Sequence, residues 1–439
     1  MKWSRFNFMF ESGKHGPLLY NSLTNAFAEL DAESFRKLQQ IKKNPDAFDF
    51  ESQDEKNMLA MLLEGKILVE EDEDELAELK METIAMRASS SGLSLTIAPT
   101  TDCNFCCPYC FENRPRKFMS DQTENHLISF IEKHGPKKLW LTWYGGEPLL
   151  ALDRIISINS RIVKLGLLYS AGIVTNGYLL DSSVIPRLSE LKIASIQVTI
   201  DGLEEIHNLR RKHLTNNDSF QKITGNLELL LASKWKGRLN IRVNVDKENR
   251  ESYVTVYNYL ENRYHSDRRM SIYPGIVAAM GEACSSVENS CLNKDEEARF
   301  ELEAYHKHGI NSVSLYPHWV PYICPANGYN SYVVGPEGEL YKCWNDVGRK
   351  EKAVGSVDPQ VQWNRRLLAR YLAGTDPFSD QRCNKCFFLP VCYGGCNYYR
   401  LQNKYGEGHV DTCTKFKKHL QEYLEAHFEK KKTEAQSRP

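Results

Sequence analysis

Three closely spaced cysteines constrain this chain more than any other feature. Cys103, Cys107 and Cys110 have the spacing C-x3-C-x2-C and follow directly on an apolar run that ends near Pro99. Three thiolates on one tight loop can hold three irons of a [4Fe–4S] cluster and leave the fourth iron open, whereas a closed electron-transfer cluster takes four cysteines. A structural zinc site needs four ligands in two pairs, and no second pair lies nearby in the sequence. The spacing therefore favours an iron–sulfur cluster whose open iron binds a ligand.

The same loop carries a surplus cysteine, Cys106, which makes the spacing C-x2-C-x3-C formally available as well. We expect Cys106 to be a small buried residue, as free cysteines commonly are. The chain has 13 cysteines, an odd number, and all but Cys106, Cys284 and Cys291 fall within recognisable ligand spacings. Cysteines in this arrangement indicate metal sites rather than disulfides.

Length and composition describe an ordinary globular protein. The 439 residues suggest two to four domains. A net charge of -1 with 41 % hydrophobic residues gives no overall bias toward nucleic acid or membrane. Polar and charged residues interrupt the aromatic start of the chain, so no secretory signal can be drawn there, and no apolar stretch is long enough to span a bilayer. We therefore expect a cytoplasmic protein with no nucleic-acid or membrane partner.

From residue 93 to about residue 277, predicted strands and helices alternate. The strands are expected at 93–98, 139–144, 173–175, 193–200, 240–245 and 271–276, and the helices near 121–133, 153–164, 182–191, 219–232 and 251–263. Six strands that alternate with helices imply a parallel sheet curled into a full or partial barrel, with function on the loops at the carboxyl ends of the strands. The three-cysteine loop follows the first strand, so the active site is predicted there.

The loops after the next strands carry polar motifs. Gly145-Gly146-Glu147 ends the second strand; consecutive glycines let the backbone approach a ligand closely, and a glutamate accepts hydrogen bonds from an ammonium group. Alone, this Gly-Gly pair and the Asn-Gly after the third strand would indicate only turns. In chain order, the further motif residues are Thr175-Asn176-Gly177, Asp201-Gly202, His207, Arg210-Arg211, and Arg242, Asn244 and Asp246, which alternate on one face of the fifth strand.

Together with Tyr109 before the last cysteine, these motifs resemble the signature of the radical SAM superfamily. The resemblance implies an α/β fold with a partial (β/α)6 barrel over residues 91–310, and a [4Fe–4S] cluster on Cys103, Cys107 and Cys110 whose open iron binds S-adenosylmethionine (SAM). The implied SAM contacts are Tyr109, Gly145, Gly146, Glu147, Thr175, Asn176 and Arg211, with Arg210 as an equally placed alternative for the bidentate carboxylate contact.

The mechanism that this resemblance implies begins with an electron from a reductant such as flavodoxin or ferredoxin. SAM is then cleaved to methionine and a 5′-deoxyadenosyl radical, and that radical removes a hydrogen from an unactivated carbon of the substrate. The cofactor supplies the hard chemistry, while the barrel positions the substrate and excludes water.

The C-terminal third contains seven more cysteines in a specific arrangement. Cys324 is followed by thirteen residues, then by Gly338, four residues and Cys343; the later cysteines have the spacing C-x2-C-x5-C-x3-C and are followed by Cys413. This arrangement resembles the SPASM extension of radical SAM enzymes, here residues 311–439, and implies two auxiliary clusters, which makes three [4Fe–4S] clusters in all. By position, the outer cluster is assigned to Cys383, Cys386, Cys392 and Cys413, and the inner cluster to Cys324, Cys343 and Cys396.

Seven thiolates cannot close two four-ligand clusters. The inner cluster therefore takes an eighth ligand, for which Cys284 and Cys291 are available though distant in sequence, or it keeps an open iron for a substrate cysteine. Zinc ribbons are the alternative for C-x2-C pairs, but the Gly-x4-Cys element and the first cluster motif occur in the same chain.

Asp346, three residues after Cys343, is a candidate catalytic proton acceptor by analogy with sulfatase-maturing relatives, in which an Asp follows this Cys directly.

Residues 1–90 are predicted to form a separate α+β domain of the winged-helix kind. A strand at 6–10, a turn at 13–17 and a strand at 18–20 precede helices at 32–42 and 54–63 and a short strand at 66–69. This order resembles the PqqD-like domain in front of many peptide-modifying radical SAM enzymes, and implies that a leader peptide binds as an added strand. A DNA-binding winged helix is the alternative, which the acidic run at 70–75 does not favour.

The resemblance thus predicts a radical SAM/SPASM enzyme that modifies a peptide or protein. The specific prediction is a thioether cross-link in a ribosomally made, cysteine-containing precursor peptide. The alternatives are formylglycine formation in a sulfatase and a carbon–carbon or ether cross-link. From a different class, the chain would be an iron–sulfur electron carrier or a redox-responsive DNA-binding protein, although a carrier does not need an open cluster beside a Gly-Gly-Glu-Pro loop.

Overall fold

The structure is a computed structural model that describes residues 1–45, 48, 50–89, 91–110, 115–264, 267–278, 290–311, 314–318 and 324–436. It begins with a small α+β region. The elements there are the strands β1 (Lys2–Trp3), β2 (Asn7–Ser12), β3 (Gly16–Asn21), β4 (Phe27–Glu29) and β5 (Leu68–Val69) and the helices α1 (Ala32–Lys43), α2 (Gln53–Glu64) and α3 (Glu75–Ala88). β2, β3 and β4 form an antiparallel sheet in that order, and β1 pairs with β5. The predicted strands and helices of this region lie within two residues of these bounds.

Side-chain caps and a small core define this region. Asp31 accepts a hydrogen bond from the N–H of Ser34 over 2.7 Å at the start of α1, and Ser52 forms a capping box at the start of α2. The apolar faces of the two helices pack on the strands. The buried members of that core are Leu19, Leu38, Ile41, Leu62, Ile67 and Leu68.

Another face of residues 1–90 packs against the C-terminal part of the chain. Phe6 and Leu79 share a core cluster with Phe378, Leu389 and Tyr393. In addition, side chains of β2 and β3 belong to the largest core of the molecule. The N-terminal region therefore shares its core with the rest of the chain, and its independence as a domain stays a prediction.

The central sheet confirms the predicted parallel α/β architecture. Its parallel strands are β6 (Gly92–Ile97), β7 (Lys138–Trp143), β8 (Leu168–Thr175), β9 (Ile193–Thr199), β10 (Arg238–Val245) and β11 (Met270–Ile276), and its helices are α4 (Asp121–His134), α5 (Leu152–Lys164), α6 (Glu204–Arg210), α7 (Ser219–Ala232) and α8 (Arg250–Tyr264). The strands lie in the order β11-β10-β9-β8-β7-β6. Their interiors are apolar because both faces are covered, as the fully buried Ile241, Val243 and Val245 show. Within the described residues β11 pairs only with β10, so the sheet is open at that edge.

The helix predicted at 182–191 is wrong. Only a short 3₁₀ turn, Ile185–Arg187, forms between β8 and β9. Pro186 lies in the middle of this stretch, lacks an N–H and crowds the carbonyl four residues earlier, so a continuous α-helix is not available. Leu188 and Leu191 are nevertheless buried, as the apolar pattern requires. Conversely, α6 was not predicted, because seven residues are too few to show a helical period.

The C-terminal part extends the same sheet. β12 (Ser331–Val334) pairs in parallel with β6, and β13 (Glu339–Tyr341) and β14 (Gly355–Ser356) follow it in antiparallel order. The helices are α9 (Lys294–His308), α10 (Arg365–Ala369), α11 (Gln381–Asn384), α12 (Leu389–Cys392), α13 (Asn397–Tyr405) and α14 (Phe416–Gln436). Phe416 and Leu420 of α14 pack into the core. None of the helices in the described ranges combines the length and the apolar character that a membrane crossing requires.

Candidate active site

The three-cysteine loop leaves the carboxyl end of β6 and is fixed by a distant segment. The N–H of Cys106 donates to the carbonyl of Lys212 over 2.8 Å, and the N–H of Leu214 donates to the carbonyl of Asn104 over 2.9 Å. The segment after α6 therefore runs alongside the loop as a short ladder. Because backbone bonds of this kind restrict both partners, the positions of the flanking thiols are set by the fold.

The thiols of Cys103, Cys107 and Cys110 lie near one another on this loop. Burial, together with the charges of Glu147, Cys107 and Cys110, raises the pKa of the Cys103 thiol to about 12. Cys103 and Cys107 are half-buried, and Cys110 is exposed. Thiols become ligands when a metal displaces their protons, so this loop presents three thiols that a metal cluster could bind together.

The burial predicted for Cys106 is wrong. Its side chain is exposed, and its sulfur lies 3.6 Å from the carbonyl oxygen of Lys212. The backbone bond between the same two residues turns the thiol toward that carbonyl. Cys106 is thus the surplus thiol of the loop, although for a different reason than the expected one.

Gly145 and Gly146 bring the second loop against the cysteine loop. A β-carbon on Gly145 would lie 2.2 Å from the carbonyl oxygen of Thr100, and one on Gly146 would lie 2.2 Å from that of Asp102. Gly145 also has a φ of 120°, which side chains other than glycine rarely adopt. The N–H of Glu147 then donates to the Asp102 carbonyl over 2.8 Å. The close approach that these glycines permit is therefore one between two loops of the protein.

Glu147 is the centre of a hydrogen-bond network that joins three loops. Its fully buried carboxylate accepts bonds from the Thr175 hydroxyl (2.7 Å), the N–H of Asn176 (2.7 Å) and the N–H of Leu149 (3.0 Å). Asn176 in turn donates to the side chain of Asn104 in the cysteine loop over 2.7 Å. Burial raises the pKa of Glu147, and the three bonds oppose that rise. Glu147, Thr175 and Asn176 thus order one another at the predicted SAM site.

Tyr109 anchors a second network on the other side of the cysteine loop. Its hydroxyl donates to the carboxylate of Asp201 and accepts from the Arg211 guanidinium (2.9 Å) and the Asn244 amide (3.2 Å). Burial raises the pKa of the Cys107 thiol, and the nearby charge of Arg211 opposes that rise. The ends of β9 and β10 therefore hold Arg211 next to a predicted cluster ligand.

The structure distinguishes the two candidate arginines. Arg210 donates through Nη2 to Asp246 over 2.7 Å, and its Nε, which makes no hydrogen bond among the described residues, lies 3.8 Å from Asp201, so two protein carboxylates already pair with its charge. Arg211 is 9 % exposed; its Nε likewise has no hydrogen-bond partner among the described residues, but its Nη1 donates to the Tyr109 hydroxyl and not to a carboxylate. A buried unpaired donor is costly unless a ligand satisfies it. The three thiols and the nearby guanidinium therefore fit an open cluster with a carboxylate-bearing ligand. Of the two arginines, Arg211 is the one that fits as the partner of that carboxylate.

The four cysteines assigned to the outer cluster line one cavity. This cavity has a volume of about 140 Å³, and its walls include Phe388, Leu389 and Lys417. The cysteines that line it are Cys383, Cys386, Cys392 and Cys413. No three His, Cys, Asp or Glu side chains in the described ranges converge closely enough for a single metal ion; the four thiols surround a space instead, as the ligands of a cluster do.

Cys324, Cys343 and Cys396 form the third set of thiols. Burial raises the pKa of the Cys343 thiol, and the charges of Asp346, Cys324 and Cys396 raise it further, so Cys324 and Cys396 lie within electrostatic range of Cys343. Cys343 follows β13, and Cys396 lies at the start of α13. The residues assigned to the inner cluster are therefore brought together.

Cys291, one of the two proposed eighth ligands, influences the same tyrosine as two cysteines of this set. Burial raises the pKa of the Tyr399 hydroxyl, and the charges of Cys396, Cys291 and Cys343 all contribute to that rise. These three sulfurs therefore lie within electrostatic range of one tyrosine, although Cys291 is far from Cys343 in sequence. The other candidate, Cys284, lies outside the described residues.

Asp346, the candidate catalytic residue, faces the protein interior. It is 1 % exposed, and the hydroxyl of Tyr371 donates to its carboxylate over 2.5 Å. The exposed side chain beside Cys343 is instead Trp344, whose ring stacks on Tyr144 of the Gly-Gly loop with 5.2 Å between centroids. The catalytic role of Asp346 stays a prediction.

Sequence reasoning missed a buried lysine between the inner cysteines. Lys342 is fully buried, and its ammonium donates to the carbonyls of Gly328 (2.5 Å) and Ser331 (2.6 Å). Burial lowers the pKa of Lys342 to about 7. The bonds tie the residue before Cys343 to the turn after Cys324. The only sequence signal was its place inside the Gly-x4-Cys element.

Comparison with known proteins agrees with this geometry. Residues 97–260 match the radical SAM superfamily. The cysteine-type anaerobic sulfatase-maturating enzyme of Clostridium perfringens (strain 13 / Type A) is 30 % identical over 334 residues, which cover 70 % of this chain and 90 % of that protein. The serine-type anaerobic sulfatase-maturating enzyme of Klebsiella aerogenes is 23 % identical over 328 residues, which cover 67 % of this chain and 76 % of that protein.

A solved structure shares the fold. Native anSMEcpe with bound AdoMet and Cp18Cys peptide superposes with a TM-score of 0.58 and 22 % identity, and the match covers 77 % of this chain and 97 % of that chain. The fold and the cysteine loop define a radical SAM enzyme, which implies a [4Fe–4S] cluster and SAM. Within that superfamily, the chain belongs to the family that includes the anaerobic sulfatase-maturating enzymes.

Proposed function

We propose that this chain is a peptide maturase that uses three [4Fe–4S] clusters and SAM to form a thioether cross-link in a ribosomally made, cysteine-containing peptide. The observation that carries the proposal is the arrangement of the cysteines. One set of three lies beside a guanidinium with an unpaired donor, and seven more cysteines lie in two separate sets.

The residues of the first site bind and orient SAM. When bound, the cluster and SAM together supply the reductive cleavage that generates a 5′-deoxyadenosyl radical, which takes a hydrogen atom from the substrate. Arg211 offers its unpaired Nε to the methionine carboxylate. Glu147 holds the Thr175–Asn176 turn in place, and Asn176 holds the cysteine loop. Preorganisation of this kind spares the site from reordering when SAM binds.

The exposed face of the cysteine loop suits a reductant. Cys106 and Cys110 are both exposed, so one side of the loop is open to a protein that delivers one electron. A flavodoxin or a ferredoxin is the class of partner proposed for this face.

The auxiliary cysteine sets lie in the C-terminal part, where they serve the oxidation of the substrate or bind its cysteine.

The cleavage of SAM is the first test. Anaerobically reduced protein is incubated with SAM, and 5′-deoxyadenosine is measured. We expect Cys107→Ala to abolish the product. Cys106→Ala is the matched control, because this neighbouring thiol is exposed and faces a backbone carbonyl; it should retain wild-type activity. Product formation by Cys107→Ala, or no product from the wild type, contradicts the proposal and leaves an electron carrier or a DNA-binding protein in its place.

The open edge of β4 is the proposed site for the leader of the precursor peptide. β4 pairs with β3 on one side, and no other described strand pairs with it. The N–H of Asn21 donates to Ala26, and the N–H of Leu30 donates to Pro17, so residues 26, 28 and 30 face β3. By the alternation of an antiparallel ladder, the backbone of Glu29 faces outward. An added strand at this edge is a known mode of peptide recognition.

A single substitution tests this edge. Deleting residues 1–90 would remove part of the shared core. Glu29→Pro instead removes an outward N–H and the room for a new strand; it also removes the carboxylate that accepts from Lys432 over 3.1 Å, a loss that Glu29→Ala shares. Candidate precursors are taken from short, cysteine-containing reading frames beside the gene. We expect Glu29→Pro to weaken leader binding by at least about tenfold and Glu29→Ala to bind normally. Equal affinities for the wild type and Glu29→Pro exclude β4 as the leader site.

Formylglycine formation is the second candidate, favoured by the 30 % identity to a sulfatase-maturating enzyme. The buried position of Asp346 and the two residues between it and Cys343 argue against it. Mass spectrometry of the product separates the two. A thioether retains the sulfur and loses two hydrogens, whereas formylglycine formation from cysteine loses the sulfur.

A further inference from the structure

The outer cysteine set has two cationic side chains directed at its sulfurs. We propose that Arg400 and Lys417 hydrogen-bond to the sulfurs of Cys383 and Cys413 and thereby raise the reduction potential of the outer cluster. The proposal depends on the proposed function, because it requires that the cavity holds a [4Fe–4S] cluster. In this proposal Arg400 and Lys417 are positioning residues that act through the cysteine ligands of the cluster.

Arg400 is the stronger of the two contacts. Its Nη1 lies 3.4 Å from the sulfur of Cys383, and the residue is 9 % exposed. Its Nε donates to the carbonyl of Thr375 over 2.8 Å, and Nη2 lies 3.4 Å from Asp380. Nη1 also lies 3.5 Å from the carbonyl oxygen of Gly394, so the guanidinium is held at each nitrogen, and Nη1 has one hydrogen for that carbonyl and one for the sulfur. A lysine could not reproduce this planar fork.

The turn at Gly394-Gly395 makes room for this arginine. A β-carbon on Gly394 would lie 2.9 Å from Nη1 of Arg400, and one on Gly395 would lie 2.0 Å from the carbonyl oxygen of Thr412. Both glycines have positive φ angles, of 76° and 75°, as glycine readily permits. The turn connects an outer ligand, Cys392, with an inner ligand, Cys396. The three residues between Cys392 and Cys396 thus also leave space for the guanidinium of Arg400.

Lys417 contacts the same cluster from the solvent side. Its Nζ lies 3.6 Å from the sulfur of Cys413, and the side chain is exposed. Asp411 lies on the same side, where it accepts a bond from the N–H of Cys413 over 2.9 Å and partly offsets the lysine. We therefore expect the effect of Lys417 to be smaller than that of Arg400.

The physical effect on the cluster has a definite sign. Reduction adds a negative charge, and both a nearby positive charge and an N–H···S bond stabilise the more negative state. A buried charge is screened less than an exposed one. The two cations therefore make the outer cluster easier to reduce than the same cysteines would alone.

The test measures reduction potentials in the full-length reconstituted protein. Redox titrations are followed by electron paramagnetic resonance, and the signal of the outer cluster is assigned by its loss in Cys413→Ser. We expect Arg400→Gln to shift this potential to a more negative value, Arg400→Lys to shift it less, and Lys417→Gln to give a small negative shift. Arg382→Gln is the matched control: Arg382 lines the same cavity but its side chain is 87 % exposed.

The outcomes separate this inference from the proposed function. Unchanged potentials in Arg400→Gln and Lys417→Gln, with wild-type iron content, overturn the inference and leave the three clusters in place. A shift in Arg382→Gln as large as that in Arg400→Gln overturns it too, because general charge would then explain the effect. If Arg400→Gln fails to assemble the cluster, Lys417→Gln and Arg400→Lys decide the question by the same criterion. A wild-type protein without an outer cluster contradicts the proposed function itself.

Discussion

Glu147→Gln is the most informative single perturbation of the SAM site. The wild-type carboxylate accepts three hydrogen bonds, at 2.7, 2.7 and 3.0 Å, and donates none. A glutamine has one acceptor oxygen and one NH₂ group. In one orientation the NH₂ faces the N–H of Asn176; in the other it faces the N–H of Leu149 and the Thr175 hydroxyl. Either way, at least one buried backbone N–H loses its acceptor.

The cost follows from these lost contacts. A hydrogen bond to a charged group contributes about 1.5–3 kcal/mol, and an unsatisfied buried donor costs a similar amount. We therefore expect Glu147→Gln to destabilise the loop network by about 2–3 kcal/mol. If SAM binds only to the ordered network, that energy reduces the apparent affinity for SAM by up to roughly 30- to 150-fold, the full factor applying where the network is only marginally stable.

Glu124→Gln is the matched control. Glu124 is also buried, and it accepts bonds from Arg154, Arg161 and Ser157 on the helical layer, away from the cysteine loop. It should lower the melting temperature by a comparable amount and leave SAM affinity unchanged. The assay is equilibrium dialysis of SAM against reconstituted protein, with thermal denaturation alongside. Wild-type SAM affinity in Glu147→Gln, or an equal loss in Glu124→Gln, refutes the reasoning.

Three further predictions concern other sites. Arg211→Ala should weaken SAM binding by about tenfold or more, because a charge-assisted bond is lost. Arg210→Ala, which breaks the contact with Asp246, should mainly lower the stability of the protein. Equal SAM affinities for the two variants contradict the assignment of Arg211 to the SAM carboxylate. Cys291→Ala should lower the iron content by up to about four per chain if Cys291 completes the inner cluster, as its position near Cys343 and Cys396 suggests, and unchanged iron and spectra count against it. Burial lowers the pKa of His419, but its bonds to Asp295 and Glu422 outweigh burial and raise the pKa. The stabilisation that wild type gains over His419→Gln should therefore be full below about pH 6.5 and decline as the pH rises through the higher pKa of the folded state. A difference in melting temperature between the two proteins that does not vary with pH refutes this prediction.

The sequence predicted features that depend on local patterns. The six central strands alternate with helices and end in loops, so their order and their common edge followed from apolar runs and turns. The four cysteines assigned to the outer cluster line one cavity, as their ligand spacing led us to expect, and their role as cluster ligands stays a prediction. Helices 32–42 and 54–63 were marked by capping residues and a terminal glycine.

Features that depend on tertiary contacts were not predictable. The preference between Arg210 and Arg211 required the position of Asp246, which lies directly after β10 and far from both arginines in sequence. The burial of Cys106 was misjudged because a backbone bond to Lys212, far along the chain, decides where the thiol points. The helix at 182–191 failed for a local reason, since Pro186 overrode the apolar pattern.

The pairing of β12 with β6 has a consequence for how the substrate is positioned. β6 leads into the first cysteine loop, and β12 leads through β13 to Cys343. One continuous sheet therefore carries the first cysteine loop and the inner cysteine set. The stacked rings of Tyr144 and Trp344 add a second connection between them. Two sites held by strand pairing cannot vary their separation as sites on a flexible linker would. A peptide that must place one carbon near SAM and a cysteine near the inner cluster therefore has to match a fixed gap, and we expect the enzyme to select substrates by the spacing of these two residues.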